Sequence, residues 1–170
     1  MRRVLLTAVA VAPLLALASV AEAACPSAGT STGGSDISVS SGCTISPKTN
    51  GDGLILDSSN SLTVVAGATI SNTDVSHTVG ILVEGGNTGT LDNQGSIELL
   101  MSYSPQVEGN TGIVGGPFAT GTDRTGIEVA NGVFNGSITN DSTGAITVDG
   151  DSSTGIFVES GASITGDLND

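Results

Sequence analysis

The stretch Gly126-Ile127-Glu128-Val129-Ala130-Asn131-Gly132-Val133-Phe134-Asn135-Gly136-Ser137-Ile138-Thr139-Asn140-Asp141-Ser142-Thr143-Gly144-Ala145-Ile146-Thr147-Val148 decides the fold. It holds three short β-type segments, led by Gly126, Gly136 and Gly144 and separated by polar turn residues. The first segment recurs as Gly80-Ile81-Leu82-Val83 and Gly155-Ile156-Phe157-Val158. The second recurs as Gly89-Thr90-Leu91-Asp92-Asn93 and Gly166-Asp167-Leu168-Asn169, the third as Gly95-Ser96-Ile97-Glu98. Gly126 and Gly155 stand 29 residues apart. Self-similarity at a period of 20–50 residues is the signature of stacked repeats. The reading is all-β: a right-handed parallel β-helix, a solenoid of about four to five coils.

The period of two in a strand assigns the faces. Ile81/Val83, Ile127/Val129 and Ile156/Val158 point one way, and Leu82, Glu128 and Phe157 the other. Stacking like on like makes the branched pairs a common core. Leu91, Ile138 and Leu168 are the inward residues of the second segment, and Ile97/Leu99 and Ile146/Val148 those of the third. Leu54/Leu56, Leu62/Val64 and Ala68/Ile70 repeat the pattern upstream. Aspartate at Ile127 or Ile156 is expected to be severely destabilising. Glu128→Lys, one residue away on the outward face, is expected to cost at most about half a kcal/mol. Asn93, Asn140 and Asn169 follow the second strand of successive units and are expected to form a hydrogen-bonded ladder.

Composition agrees with strands. There are 25 glycines, no Trp, one Tyr and three Phe. Few aromatics with an acidic bias also suit disorder, but a disordered chain has no reason to keep a regular Ile/Val/Leu spacing. The balance is 17 acids against 4 bases. Such a surface repels phosphate backbones and anionic lipid, so no nucleic-acid partner is expected.

Residues 1–23 read as a cleaved signal helix. Arg2 and Arg3 precede an apolar run from Val4 to Val20, and Ala21-Glu22-Ala23 places small residues at the two positions a signal peptidase reads. Pro13 breaks the run, which weighs against an anchor. Glu22 lies three before Cys25, where a lipoprotein box needs a Leu-type residue. Cleavage after Ala23 removes Arg2, Arg3 and Glu22 and moves the formal charge from −13 to −14.

Residues 24–50 lack the coil pattern and are expected to form an N-terminal cap. Cys25 and Cys43 are the only cysteines, and export would place them where disulfides persist. A bond across that separation stabilises by roughly 3 kcal/mol on chain entropy; the alternative is two free thiols in a flexible arm. Residues 51–170 form the β-helix. Within them 100–125 is an irregular insertion carrying Tyr103, Phe118 and Arg124, the kind of long loop where binding residues gather. Its alternative is an extra, degenerate coil, with Gly112-Ile113-Val114 as an irregular strand.

No catalytic, cofactor-binding or metal site is expected. His77 sits in Ser76-His77-Thr78 and reads as an exposed loop residue. Asp149-Gly150-Asp151 and Asn50-Gly51-Asp52 miss calcium-loop spacing. Asn72-Thr73-Asp74 matches one short motif of β-helical pectin-degrading hydrolases, but the paired Asp-Asp, Gly-His-Gly and Arg-Ile-Lys motifs of those enzymes are missing. Lys48 and Arg124 stand too far apart in sequence to build a lyase site.

The signal, the N-terminal segment and the glycine-led coils together resemble the passenger region of bacterial autotransporters (type V secretion), over about residues 50–170. The resemblance implies a non-catalytic, adhesin-like β-helix displayed at the cell surface of a Gram-negative envelope. Its partner would be a surface receptor or a neighbouring cell, and an outer-membrane β-barrel would follow in a longer chain. A secreted carbohydrate-active β-helix, pectin lyase-like, with its active site outside these residues, is the alternative. The last unit stops two-thirds of the way round a coil, so self-association through an open C-terminal coil is also expected.

Overall fold

The computed structural model describes residues 24–102, 106–108, 113–115 and 121–169. The signal segment 1–23 lies outside the described residues. Among these, all regular structure is β, and every strand pairing but one is parallel.

Three sheets carry most strands. The first stacks Thr30–Ser31, Gly51–Leu56, Thr78–Glu84, Arg124–Ala130 and Thr154–Val158. The second stacks Ile37–Val39, Ser61–Val64, Thr90–Asn93, Ser137–Asn140 and Leu168–Asn169. The third stacks Thr44–Ile45, Thr69–Thr73, Ser96–Leu100 and Ala145–Val148. The chain visits the first, second and third sheets in order and returns beside its own previous strand. Four such passages follow one another and a fifth reaches the first and second sheets; they are here called rungs one to five. This arrangement fits a solenoid-like fold. Rungs four and five add a parallel pair, Val133–Phe134 against Ser163–Ile164, which drives Phe134 fully into the core.

Residues 24–50 depart from the expected cap. Thr30, Ile37 and Thr44 pair with Leu54, Leu62 and Thr69 in all three sheets, so the segment is itself rung one. Its strands run only two or three residues, too short to show a period of two in sequence. Cys25 and Cys43 are joined, with Cα atoms 5.4 Å apart, and Cys43 lies in the core. Breaking the bond with Cys43→Ser should lower stability by about 2–3 kcal/mol. Calorimetry with and without reductant checks this; an unchanged melting temperature would mean that the bond constrains nothing that unfolds.

The interior follows the alternation. Leu54, Ile81 and Ile127 stack in one column and Leu56, Val83 and Val129 in the next, all fully buried. Leu62, Leu91 and Ile138 line the second sheet, and Ile45, Ile70 and Ile97 the third. Each such side chain contributes roughly 1.5–3 kcal/mol of burial. Ile156 is only partly buried, because rung five packs on one neighbour.

Glycine opens three of the first-sheet repeats, at Gly53, Gly80 and Gly126, for want of space. A Cβ on Gly80 would stand 2.5 Å from Gly126 O and 2.7 Å from the Ile97 methyl. On Gly126 it would stand 2.5 Å from both Gly155 O and the Ile146 methyl. The third-sheet isoleucine of each rung thus fills the volume that a side chain there would need.

Asn93 and Asn72 are among the polar side chains buried in the stack. Asn93 is fully buried and its Nδ2 donates to Asn140 Oδ1 at 2.7 Å. Asn169 does not continue that ladder: it pairs with Thr139, one position out of phase. Asn72 faces Leu99 in the third sheet and donates from Nδ2 to Thr78 Oγ1 at 3.1 Å. It is a buried structural residue.

The insertion departs from the alternative of a degenerate coil. Gln106–Glu108 pairs antiparallel with Ile113–Gly115, Val107 opposite Val114. Gly112-Ile113-Val114 therefore marks one arm of a hairpin and not a strand of the parallel stack. Leu100 and Arg124 belong to rungs three and four, so the irregular stretch is narrower than 100–125.

Candidate functional site

A groove of about 380 Å³ lies on the outer face of the first sheet. Its floor is built by register. Val79, Thr125 and Thr154 form one outward column, and Leu82, Glu128 and Phe157 form the next. Stacking places one residue of each rung beside the same position of the next, about 4.8 Å away.

One wall is a column of turn residues. Asn50, His77, Asp123 and Ser152 each precede a first-sheet strand by one or two positions. All four are left-handed, with φ of 55°, 54°, 54° and 56°. None is glycine; Asn and Asp adopt this region at the smallest penalty. Rung-to-rung bonds hold them, from Asn50 N to His77 O at 2.9 Å and from His77 N to Thr122 O at 3.0 Å. The turn places His77 Nδ1 3.3 Å from Asp123 Oδ2, with both side chains half exposed.

Glu128 occupies the centre. It points outward as its place in the alternation requires, but it is not an ordinary surface carboxylate. Burial beside Phe157 and its neighbours, a hydrogen bond with Glu159, and the charges of Glu159 and Asp52 push it up to about 7. In Glu128→Lys the lysine would stand near two acids, Glu159 and Asp52.

Of the three expected contact residues, only Arg124 falls among the described residues. Tyr103 and Phe118 lie outside the described residues. Arg124, expected in a protruding loop, is fully buried as the first residue of its strand. Its Nε donates to Val75 O at 2.6 Å and its Nη1 to Asp149 O at 2.8 Å. It thereby ties the turn before rung three to the turn before rung five. Nη2 has no hydrogen-bond partner among the described residues.

Arg124→Ala should cost about 3 kcal/mol, since two carbonyls lose their donors and a buried volume empties. Arg124→Lys should recover little of this, because one ammonium cannot reproduce the planar fork. Urea unfolding midpoints check both; a shift worth less than about 0.5 kcal/mol would return Arg124 to the class of surface residues.

Nearby, the Asp74 carboxyl accepts the Ser102 backbone N–H at 2.7 Å, which holds it below the usual carboxylate range and fixes the root of the insertion. Among the described residues no cluster of His, Cys, Asp or Glu is arranged to hold a metal ion.

Sequence reasoning missed Glu128, Glu159, Phe157 and His77 as neighbours. The signal was available. Once the three G-I-x-V copies are stacked, their third positions form one outward column, so Glu128 and Phe157 must touch. No family model matches this chain, and neither a curated protein nor a solved structure matches it.

Proposed function

We propose that this chain is a right-handed parallel β-helix, exported by residues 1–23 and displayed at the cell surface or released, where it serves as a non-catalytic, adhesin-like scaffold. One observation carries the reading: rung after rung the chain returns in register to the same three sheets, with apolar columns inside and mostly polar or small residues outside. Such a body grows in one direction and offers long flat faces, which suits spacing and contact more than chemistry. The right hand is the one that parallel crossovers take in nearly all sheets. Partners would meet the outer faces as protein or glycan on another surface. The charge of −14 after cleavage disfavours nucleic acid and anionic lipid. The resemblance to autotransporter passengers supports an outer-membrane β-barrel in a longer chain, and the exposed Val158 and Leu168 of rung five support self-association.

Expression in a Gram-negative host tests this. The protein should begin at Ala24 and be cut by protease added to intact cells. A product that retains Met1 and stays in the cytoplasm would overturn it.

A second reading, a carbohydrate-active β-helix, is favoured by the place of Glu128 in the groove lining, because a carboxyl still protonated near neutrality is what a general acid requires. The acidic groove would repel polyuronates, so neutral glycans are the substrates to assay. Hydrolysis that is lost in Glu128→Gln would establish this reading, and its absence across a neutral glycan panel would end it.

A further inference from the structure

Three Asn-Gly pairs lie among the described residues: Asn50-Gly51, Asn131-Gly132 and Asn135-Gly136. Asparagine is chemically labile, and a following glycine has no side chain to keep its backbone nitrogen away from the asparagine amide carbon. That nitrogen can attack the side chain when its N–H is not held in a hydrogen bond and the peptide unit can turn. The fold treats the three pairs differently.

Asn50 is locked into the turn column. Its N–H donates to His77 O at 2.9 Å, and Gly51 N–H, the group whose nitrogen would attack, donates to Lys48 O at 2.9 Å. Asn135 is held at the side chain, where Oδ1 accepts the Thr165 hydroxyl at 2.6 Å. Its N–H donates to Asn87 O at 3.0 Å. Gly136 beside it is buried, and a Cβ there would overlap Gly89 O.

Asn131 has none of these restraints. It turns the chain from Arg124–Ala130 towards Val133–Phe134 with φ of 61°, and its side chain is exposed. Among the described residues, its side-chain amide, its carbonyl oxygen and the Gly132 N–H are all without a hydrogen-bond partner. The peptide unit between the two residues is seated by contact alone: a Cβ on Gly85 would come 2.7 Å from Asn131 O. On the other side it is open, with nothing within 4 Å of a Cβ on Gly132.

We infer that Asn131 is a self-modifying site, the Asn-Gly pair that this fold leaves free to convert to aspartate and isoaspartate without an enzyme. The Gly132 nitrogen gives its proton to solvent base and bonds to Asn131 Cγ. The bond from Cγ to Nδ2 breaks, and Nδ2 leaves as ammonia, which closes a succinimide ring. Water then adds to either ring carbonyl and cleaves its bond to the Gly132 nitrogen. One opening gives aspartate; the other gives isoaspartate, whose main chain is longer by one methylene. The net reaction consumes one water and releases one ammonia. Since the attacking nitrogen must lose its proton, conversion quickens as the pH rises. The product carries a new negative charge, and in the iso form an added backbone atom, in the turn that delivers Phe134 to the core.

Incubating the intact folded protein in mildly alkaline buffer, then mapping its peptides by mass spectrometry with fragmentation that resolves Asn131 from Asn135, tests this. Asn131 should convert roughly tenfold faster than Asn50 or Asn135, because those two react only after a local opening. Isoaspartate should accumulate at Asn131. In urea, where no turn is held, the three should convert at similar rates. Equal rates in the folded protein, a faster Asn50 or Asn135, or the same preference for Asn131 in urea as in the folded protein would each overturn the assignment.

Discussion

Replacing Ile127 with aspartate should unfold the protein at 25 °C. Ile127 is fully buried in rung four, stacked between Ile81 and Ile156. Loss of the branched side chain alone costs about 2–5 kcal/mol in transfer and cavity terms. An unpaired carboxylate in the same dry column adds several more. The sum rivals the whole stability of a domain of this size. The same change at Ile156 should cost only about 2 kcal/mol, because partial exposure lets the carboxylate reach water. Both were expected from sequence to be equally severe, and the single neighbour of rung five separates them. Circular dichroism and chemical denaturation of the two variants decide the matter. Equal losses would mean that rung five is as deeply packed as rung four.

Gly126→Ala should cost about 3 kcal/mol or more, from one methyl group. The added carbon would stand 2.5 Å from both the Gly155 carbonyl and the Ile146 methyl, below any ordinary Cβ contact. The isoleucine can rotate only by leaving its own core position, and the carbonyl is held in the ladder, so the strain has to spread through rungs four and five. Gly155→Ala is the matched control. There a Cβ meets only the Ile146 methyl at 3.8 Å, an ordinary contact. The control should lie within about 0.5 kcal/mol of the parent and could be slightly stabilising by restricting the unfolded chain. If both alanines behave alike, the close approach is not what selects glycine at these positions.

Much of this architecture was legible because stacked repeats make local and long-range patterns coincide. The pairing of Ile81, Ile127 and Ile156 could be read from three copies of four residues, and the structure places them in one column. The glycine at the head of each copy was legible as a marker but not as a cause. At Gly80 and Gly126 the reason lies in the third-sheet isoleucine and the neighbouring carbonyl, contacts that no alternation within one strand reveals. Rung one escaped notice because Thr30–Ser31 and Thr44–Ile45 are too short to carry a period. Asn169 was misplaced because the count of residues after Gly166 differs by one from that after Gly136, and a strand registers such a slip at once. Arg124 was placed in a contact loop because it falls within the irregular stretch 100–125. Its burial depends on two carbonyls, Val75 O and Asp149 O, that only the closed turns bring within reach. The groove is the clearest case of partial legibility: each residue's outward direction was correct, while the crowding of Glu128, Glu159 and Asp52 needed the rungs stacked.

The bond between Cys25 and Cys43 has a mechanical consequence. Each rung touches only its neighbours, so tension applied between the two ends would peel the molecule one turn at a time. The bond fastens rung one across a separation of 18 residues, and that loop cannot lengthen under load. The residues between the two cysteines therefore bear none of the tension, whichever turn leaves first. The fully drawn chain would be about 60 Å shorter than its reduced counterpart, at roughly 3.5 Å for each residue hidden behind the bond. A body tethered at one end in flowing fluid would in this way keep one loop closed under a pull that had drawn out the others.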